Sequence, residues 1–218
     1  MIPLKDNIRS KSFPLVTITL IIFNVLIYIY QSTLTTENLH FLVTSLGFIP
    51  QRIVLEEIIN NSSIYPLITF LTSAFLHGNF IHLASNMLYL WIFGDNIEDK
   101  LGKFWFIVFY LLAAIIGNIA HLMSEPTSAL PAIGASGAVA GVLGAYFIYY
   151  PYSKVLTLVP IGIFFTIFHI PAVIFLGVWI LLQSINAIAP LAGEAVSIAW
   201  WAHIGGFLLG VVYAIGNR

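Results

Sequence analysis

There is no cysteine among the 218 residues. That excludes a disulfide framework, a thiol nucleophile and a thiolate metal site. Charge is scarce too: 8% of the residues are Asp, Glu, Lys or Arg, where a soluble domain carries about a quarter. A chain this poor in charge cannot cover a water-facing surface with it. The formal net charge is −1, so nothing draws the chain electrostatically to nucleic acid. Internal repeats are missing, which leaves an inverted-repeat transporter without support. What the chain has in quantity is apolar side chain, 60% of its residues. These counts describe an integral membrane protein, and one compact domain is enough for the length.

Crossing a bilayer takes roughly 20 apolar residues per helix. Uncharged runs predict spans at about 14–31, 77–93, 103–122, 137–150, 170–188 and 196–215. The first follows Lys5, Arg9 and Lys11 and could mimic a signal peptide, but "QSTLTTE" after it offers no small-x-small cleavage site. It reads as a retained first transmembrane helix. With six spans, Lys5, Arg9, Lys11, Lys100, Lys103, Lys154 and Arg218 share one side, and Arg52 alone falls on the other. The positive-inside rule then places both termini, the 94–102 turn and the 151–169 connection in the cytoplasm. Residues 1–13 form a cytoplasmic segment, and 14–216 a single transmembrane domain. Its outer stretch, 32–76, is too apolar for a flexible linker and predicts short helices lying in the interface. Trp200 and Trp201 fit an aromatic belt, though they could equally pack inward.

The fourth span is short. Gly137 to Tyr150 covers about 21 Å, against a hydrocarbon core of about 30 Å. Pro151 stops it near the cytoplasmic face, so its other end must lie below the outer surface. Non-helical backbone at that depth belongs inside protein or beside water. "PAIGAS" at 131–136 should therefore descend into an outward-opening cavity with Ser136 at its floor.

Polar groups at that depth are costly. His203 is expected about two turns into the sixth span, counted from near Val196, at a depth of about 10 Å. His82 and Asn86, four residues apart, share a face of the second span. Each has a plain explanation: a serine bonded back to its own helix, a histidine or an amide linking helices. The coincidence in depth of a hydroxyl, an imidazole and two further donors favours chemistry. Metal binding is not expected, because HExxH is absent and no carboxylate lies at this depth. Gly137 with Gly141, and Gly206 with Gly210, form two GxxxG faces beside Ser136 and His203. Small faces let helices approach closely, which would bring hydroxyl and imidazole together.

These residues resemble a known family. "HGNFIHLASN" at 77–86, "GASG" at 134–137 and "AHIGG" at 202–206, in that order, are similar to the motifs of the rhomboid intramembrane serine proteases. "FGDNIEDKLG" at 93–102 looks like the cytoplasmic turn of many prokaryotic members. The resemblance runs from about Phe13 to Gly216. It implies an all-α, polytopic six-helix bundle with a short, buried fourth helix, and no cofactor. It implies Ser136 as nucleophile and His203 as general base, without a carboxylate. His82, Asn86 and the backbone N–H of Ser136 would form the oxyanion hole, with Gly134, Gly137 and His77 supporting and Gly141, Gly206 and Gly210 packing helices. Two positions depart from the pattern. Ala140 stands where some relatives place an aromatic against the histidine, so another group must hold the His203 ring. "LGFIPQR" lacks the Trp-Arg pair of some first outer loops.

The implied activity is endopeptidase cleavage of single-pass transmembrane proteins in or near their membrane segment. Substrates would show small residues at the cut and helix-weakening residues beyond it. The lipid bilayer is the other partner. The fifth span, "PAVIFLGVWILLQSINAIAP", is either a gate for substrate or an ordinary lipid-facing helix, since no ionisable residue pins it to the core. A rival class is a non-catalytic relative that binds or escorts transmembrane clients in the same groove. A solute transporter or channel predicts paired charges or repeats in the spans, and neither is seen. His40, His121 and His169 read as structural. The short termini and missing targeting sequence suggest a bacterial or archaeal cell membrane.

Overall fold

The computed structural model describes residues 1–59, 65–162, 164–189 and 199–218. The fold is mostly helical. Its elements are β1 (Ile2–Lys5), α1 (Leu15–Thr33), α2 (Thr36–Leu46), α3 (Pro50–Ile59), α4 (Tyr65–Thr72) and a 3-10 turn (Ser73–Phe75). Then follow α5 (Phe80–Leu101), α6 (Lys103–Ser124), α7 (Ser136–Tyr149), β2 (Lys154–Ile161), β3 (Phe164–Pro171), α8 (Ala172–Ile188) and α9 (Trp200–Gly216). By length and apolarity, α1 and α6 can each cross a bilayer alone. Residues Pro66–Phe75 and Phe80–Leu101 qualify as a pair bent by 82°. The apolar helices α7, α8 and α9 are shorter, with 14, 17 and 17 residues.

At the centre stands α7. Every residue from Gly137 to Tyr146 is buried, as expected of a helix apolar all round. Its small residues set how close the neighbours come. A Cβ on Gly206 would lie 2.0 Å from the Gly137 carbonyl oxygen, and one on Gly210 would lie 2.0 Å from that of Gly141. Because 137 meets 206 and 141 meets 210, α7 and α9 run parallel, and their N-termini lie at the same end. Helix α6 joins them through Gly117, whose Cβ would sit 2.7 Å from the Ala202 carbonyl oxygen. No L-residue larger than glycine fits these contacts with the backbones where they are.

Three sequence expectations need correction here. Residues 94–101 are not a turn: α5 continues to Leu101, and Gly102, at φ 80°, alone links it to α6. One acidic residue there caps the start of α1 out of water, and another holds the segment before it. Buried Glu98 accepts hydrogen bonds from Val16 N at 3.0 Å, Thr17 N at 2.8 Å and Thr17 Oγ1 at 2.8 Å. Asp99 accepts from Lys11 N at 3.1 Å and Ser12 N at 3.0 Å. A carboxylate at a helix N-terminus satisfies donors that have no partner in their own helix. Charge in sequence was therefore mistaken for a loop.

The second correction concerns 151–169. Lys154↔Pro171 through Ile161↔Phe164 pair antiparallel, and Ile2↔Leu158 adds the N-terminal segment as a third strand. "KVLTLVPI" and "FFTIFHIP" are rich in β-branched and aromatic residues, which suit strands. Gly162, at φ 59°, lies in the turn between them. The membrane-embedded part stays helical, with this small sheet added at one end. Third, α5 starts at Phe80 and not at 77, so His77 lies in the bend before the helix.

The basic residues assigned to one side do gather at one end of the bundle. Lys100 Nζ lies 5.0 Å from the Tyr149 ring centroid, and Arg218 Nη2 donates to the Ile148 carbonyl at 2.9 Å. Lys154 N donates to Asn7 Oδ1 at 2.7 Å. Between residues 32 and 76 the chain forms the short helices α2, α3 and α4, apart from residues 60–64, which lie outside the described residues.

Candidate active site

The opposite end of the bundle is built around the segment 131–135. Phe48 and Ala132 exchange backbone hydrogen bonds of 3.0 and 2.8 Å, tying the segment to the outer stretch. Gly134 N–H donates to the Ser73 carbonyl at 2.9 Å. Ser73 Oγ in turn accepts from Asn118 Nδ2 at 3.0 Å, and that amide also reaches the Phe70 carbonyl at 3.0 Å. Thus α6, the 3-10 turn and the segment before α7 are held in one chain of bonds. Gly134 has φ 125°, a conformation that favours glycine. It is crowded as well: a Cβ there would lie 2.6 Å from His82 Cε1 and Nε2.

The first residue of α7 is Ser136, and the residue before it, Ala135, makes no side-chain cap bond to that helix. Its hydroxyl oxygen lies 2.7 Å from His203 Nε2. His203 is in the first turn of the described α9, three residues after Trp200, and is 9% exposed. It is therefore not two turns in, and the expected start near Val196 lies outside the described residues. The pairing in depth arises because both groups sit at helix starts. Parallel packing of α7 on α9 through Gly137, Gly141, Gly206 and Gly210 sets those starts side by side.

His82 and Asn86 occupy the first two turns of α5. With Gly134, Ser136, His203 and Gln183 they line one cavity of about 550 Å³. Asn86 is 6% exposed, and its Nδ2 has no hydrogen-bond partner among the described residues. A buried amide donor without a partner costs about 1–3 kcal/mol, so its retention calls for a use. The same amide would lie 3.7 Å from a Cβ on Gly134. His77 is 1% exposed and meets the His82 ring edge-on at 5.2 Å. Gln31 clamps its backbone, donating to the His77 carbonyl at 3.1 Å and accepting from His77 N at 3.0 Å. Ala135 N–H also points at His77 Nε2, over 3.5 Å.

What holds the imidazole comes from α8, an element that sequence reading treated as unpinned. His203 Nδ1 lies 2.7 Å from Gln183 Oε1. One turn earlier, the Trp179 ring stacks on the His203 ring at 6.1 Å and 30°, while Trp200 meets it edge-on at 5.9 Å. Ala140 instead packs against Gly206, 3.4 Å from where its Cβ would be. Gln183 and Trp179 went unread because a search for ionisable groups passes over an amide, and an indole in an apolar run looks like lipid-facing bulk. Their i, i+4 spacing was the available signal. Asn118 was missed for the same reason. Of the other histidines, His40 is in α2, His121 is buried in α6 and faces the Phe48 ring at 6.4 Å, and His169 is in β3.

Such an arrangement can carry out acyl transfer. A hydroxyl and a base are in contact, the Asn86 Nδ2 donor, unpartnered among the described residues, lines the same space, and the cavity encloses about 550 Å³.

Comparison with known proteins agrees with the motifs. Residues 65–217 match the rhomboid domain family. The chain is similar to the mitochondrial rhomboid protein 1 of Saccharomyces cerevisiae, 36% identical over 154 residues, covering 67% of this chain and 40% of that protein. It is 44% identical to the rhomboid protease GluP of Bacillus subtilis over 75 residues, 34% of this chain and 14% of the relative. The mitochondrial presenilin-associated rhomboid-like protein A of Danio rerio is 30% identical over 148 residues, 65% of this chain and 35% of the relative. The chain spans less than half the length of each of these relatives.

Proposed function

The chain belongs to the rhomboid family, and we propose that it is an intramembrane serine endopeptidase that cleaves single-pass transmembrane proteins within or near their membrane segment. The observation that carries this reading is the 2.7 Å contact between Ser136 Oγ and His203 Nε2 at the start of α7. The family includes intramembrane serine proteases, and its members are embedded in membranes as multi-pass proteins, which fits the apolar helices here.

In this reading His203 Nε2 takes the Ser136 proton as the hydroxyl oxygen attacks the scissile carbonyl carbon. The carbonyl π electrons move to the oxygen. Asn86 Nδ2, His82 and the Ser136 backbone N–H receive the resulting oxyanion, aided by the positive end of the α7 dipole. As the C–N bond breaks, the proton passes from His203 to the leaving amine. Water, deprotonated by the same imidazole, then hydrolyses the acyl ester and regenerates Ser136. An intact helix cannot lie extended across Ser136, because its backbone groups are already bonded. Substrates should therefore be helices that unwind easily, with small residues at the cut.

The proposed placement is a cell membrane, with residues 14–216 as one domain, 32–76 at the outer face and the cavity opening outward. Both termini would then be cytoplasmic, which the clustering of Lys100, Lys154 and Arg218 at the far end supports. The test is fluorophosphonate labelling of the folded, detergent-solubilised protein beside cleavage of a single-pass reporter in proteoliposomes. Labelling and cleavage should both vanish in Ser136→Ala and His203→Ala, a loss of at least about 10⁴-fold in rate. A folded wild-type protein that is never labelled and never cuts, yet retains a transmembrane helix, would favour a client-binding role instead.

A further inference from the structure

We propose that Gln183 is a positioning residue for His203, fixing which of its two ring nitrogens acts as the base. This inference rests on the protease reading above and adds to it a third side chain, supplied by α8.

The geometry runs through the imidazole. A neutral imidazole has one N–H and one lone pair, and whichever nitrogen holds the proton leaves the other as acceptor. To take the Ser136 proton, Nε2 must be the acceptor, so Nδ1 must carry the hydrogen. The Gln183 amide oxygen, 2.7 Å from Nδ1, can accept that hydrogen, and an amide oxygen has no hydrogen to offer in return. The contact therefore favours the one tautomer in which Nε2 is free for the hydroxyl, 2.7 Å away on the other side. It also favours the imidazolium formed after proton transfer, since Nδ1–H is retained there. No carboxylate is needed for either task. Trp179, one turn before Gln183, stacks on the ring and limits its rotation. The two side chains thus fix its proton and its plane from one face of α8.

Two features set this apart from ordinary helix packing. First, the side chains that α8 buries in the core are apolar, Ala172, Phe175 and Leu176, and its start is tied by backbone bonds from Ala172 N and Val173 N to the Ser153 and Pro151 carbonyls. Anchoring α8 does not require a polar bond in an apolar setting. Second, the position that could have supplied a ring against His203 from α7 is Ala140, which packs on Gly206 instead. The imidazole is oriented from α8 because α7 is reserved for close approach to α9.

The experiment measures steady-state cleavage of a transmembrane reporter in proteoliposomes, together with the rate of fluorophosphonate labelling, for wild type, Gln183→Leu, Gln183→Glu and Ser136→Ala. Thermal unfolding of each checks the fold. Gln183→Leu keeps the bulk and removes the acceptor. We expect kcat and the labelling rate to drop roughly 10- to 100-fold, the scale of a catalytic group held out of place, with KM little changed. Gln183→Glu restores an acceptor and should recover most of the rate. If Gln183→Leu keeps kcat and the labelling rate within about twofold of wild type while folded, the proposal is overturned. The same holds if both Gln183 variants lose activity equally in proportion to lost Tm, which would mean a packing role. If wild type itself is not labelled in a Ser136-dependent way, the protease reading fails first, so the two failures are distinguishable.

Discussion

Two helix starts in this protein receive opposite treatment. At the beginning of α1, a buried carboxylate from α5, Glu98, accepts from Val16 N, Thr17 N and Thr17 Oγ1. At the beginning of α7 the side-chain contact is a long one to an imidazole, Ala135 N–H to His77 Nε2 at 3.5 Å, and the neighbouring Asn86 Nδ2 has no hydrogen-bond partner among the described residues. Both starts carry the same unsatisfied N–H groups and the same partial positive charge. One is closed by an anion that is part of the fold. In the proposed mechanism the other is left for the anion that forms during reaction. If the proposed mechanism holds, the contrast makes the α7 start a reserved capacity, because the chain closes the α1 start with three bonds to Glu98.

Substitution at the open end gives the larger expected effect. Asn86→Ala should lower kcat by about 10²–10³-fold, the usual loss for one oxyanion donor. Its Tm should hold or rise, because a buried donor without a partner is removed. Cleavage kinetics and thermal unfolding on the same sample decide this. A fall in Tm with activity per folded molecule intact would make Asn86 structural and break the comparison.

Glu98→Ala should give the reverse pattern. Losing charge-assisted bonds to two backbone N–H groups and a hydroxyl costs about 2 kcal/mol, or about 4–8 °C in Tm for a chain of this size. The rate well below Tm should stay within about twofold of wild type. A large loss of rate at low temperature, without loss of fold, would show that the two ends are coupled.

The smallest effect belongs to Asp6, at the same end as Glu98. It accepts from the Tyr146 hydroxyl, and from Asn96 Nδ2 at 3.1 Å. Burial raises its carboxyl above the ordinary value, outweighing the Tyr146 bond that lowers it. A carboxyl shifted upward in the folded state contributes stability that is complete below the ordinary carboxylate range and is lost as pH rises through the raised value. Asp6→Asn cannot ionise. The Tm of this variant relative to wild type should therefore climb modestly between pH 3 and pH 7 and then level off. A difference independent of pH would mean that the closed end carries no titrating strain.

Much of the site was legible in the chain. Ser136, His203, His82 and Asn86 stand out because polar side chains in long apolar runs are costly, and the two GxxxG pairs show where helices can touch. The shortness of the fourth helix follows from Pro151 and the count back to Ser136. The loop at 94–102 was misread because charge was taken to mean water, when Glu98 is buried as a cap. His203 lies in the first turn of the described α9, which begins at Trp200, whereas the count of two turns starts from Val196, outside the described residues. Gln183 and Trp179 stayed hidden because their value depends on which face of α8 meets α9.

By itself the sequence determined the class of the protein and the chemistry available to it. Scarce charge and long apolar runs require membrane helices, and glycine at four positions permits two of them to approach as no other residue would. The tertiary structure decided which groups meet. Parallel packing of α7 on α9 turned a serine and a histidine 67 residues apart into a pair 2.7 Å apart. Packing of α8 against α9 brought an amide to the far side of the ring. Composition limits what a segment can bury, but contact between distant segments depends on crossing geometry, which exists only once the helices are packed.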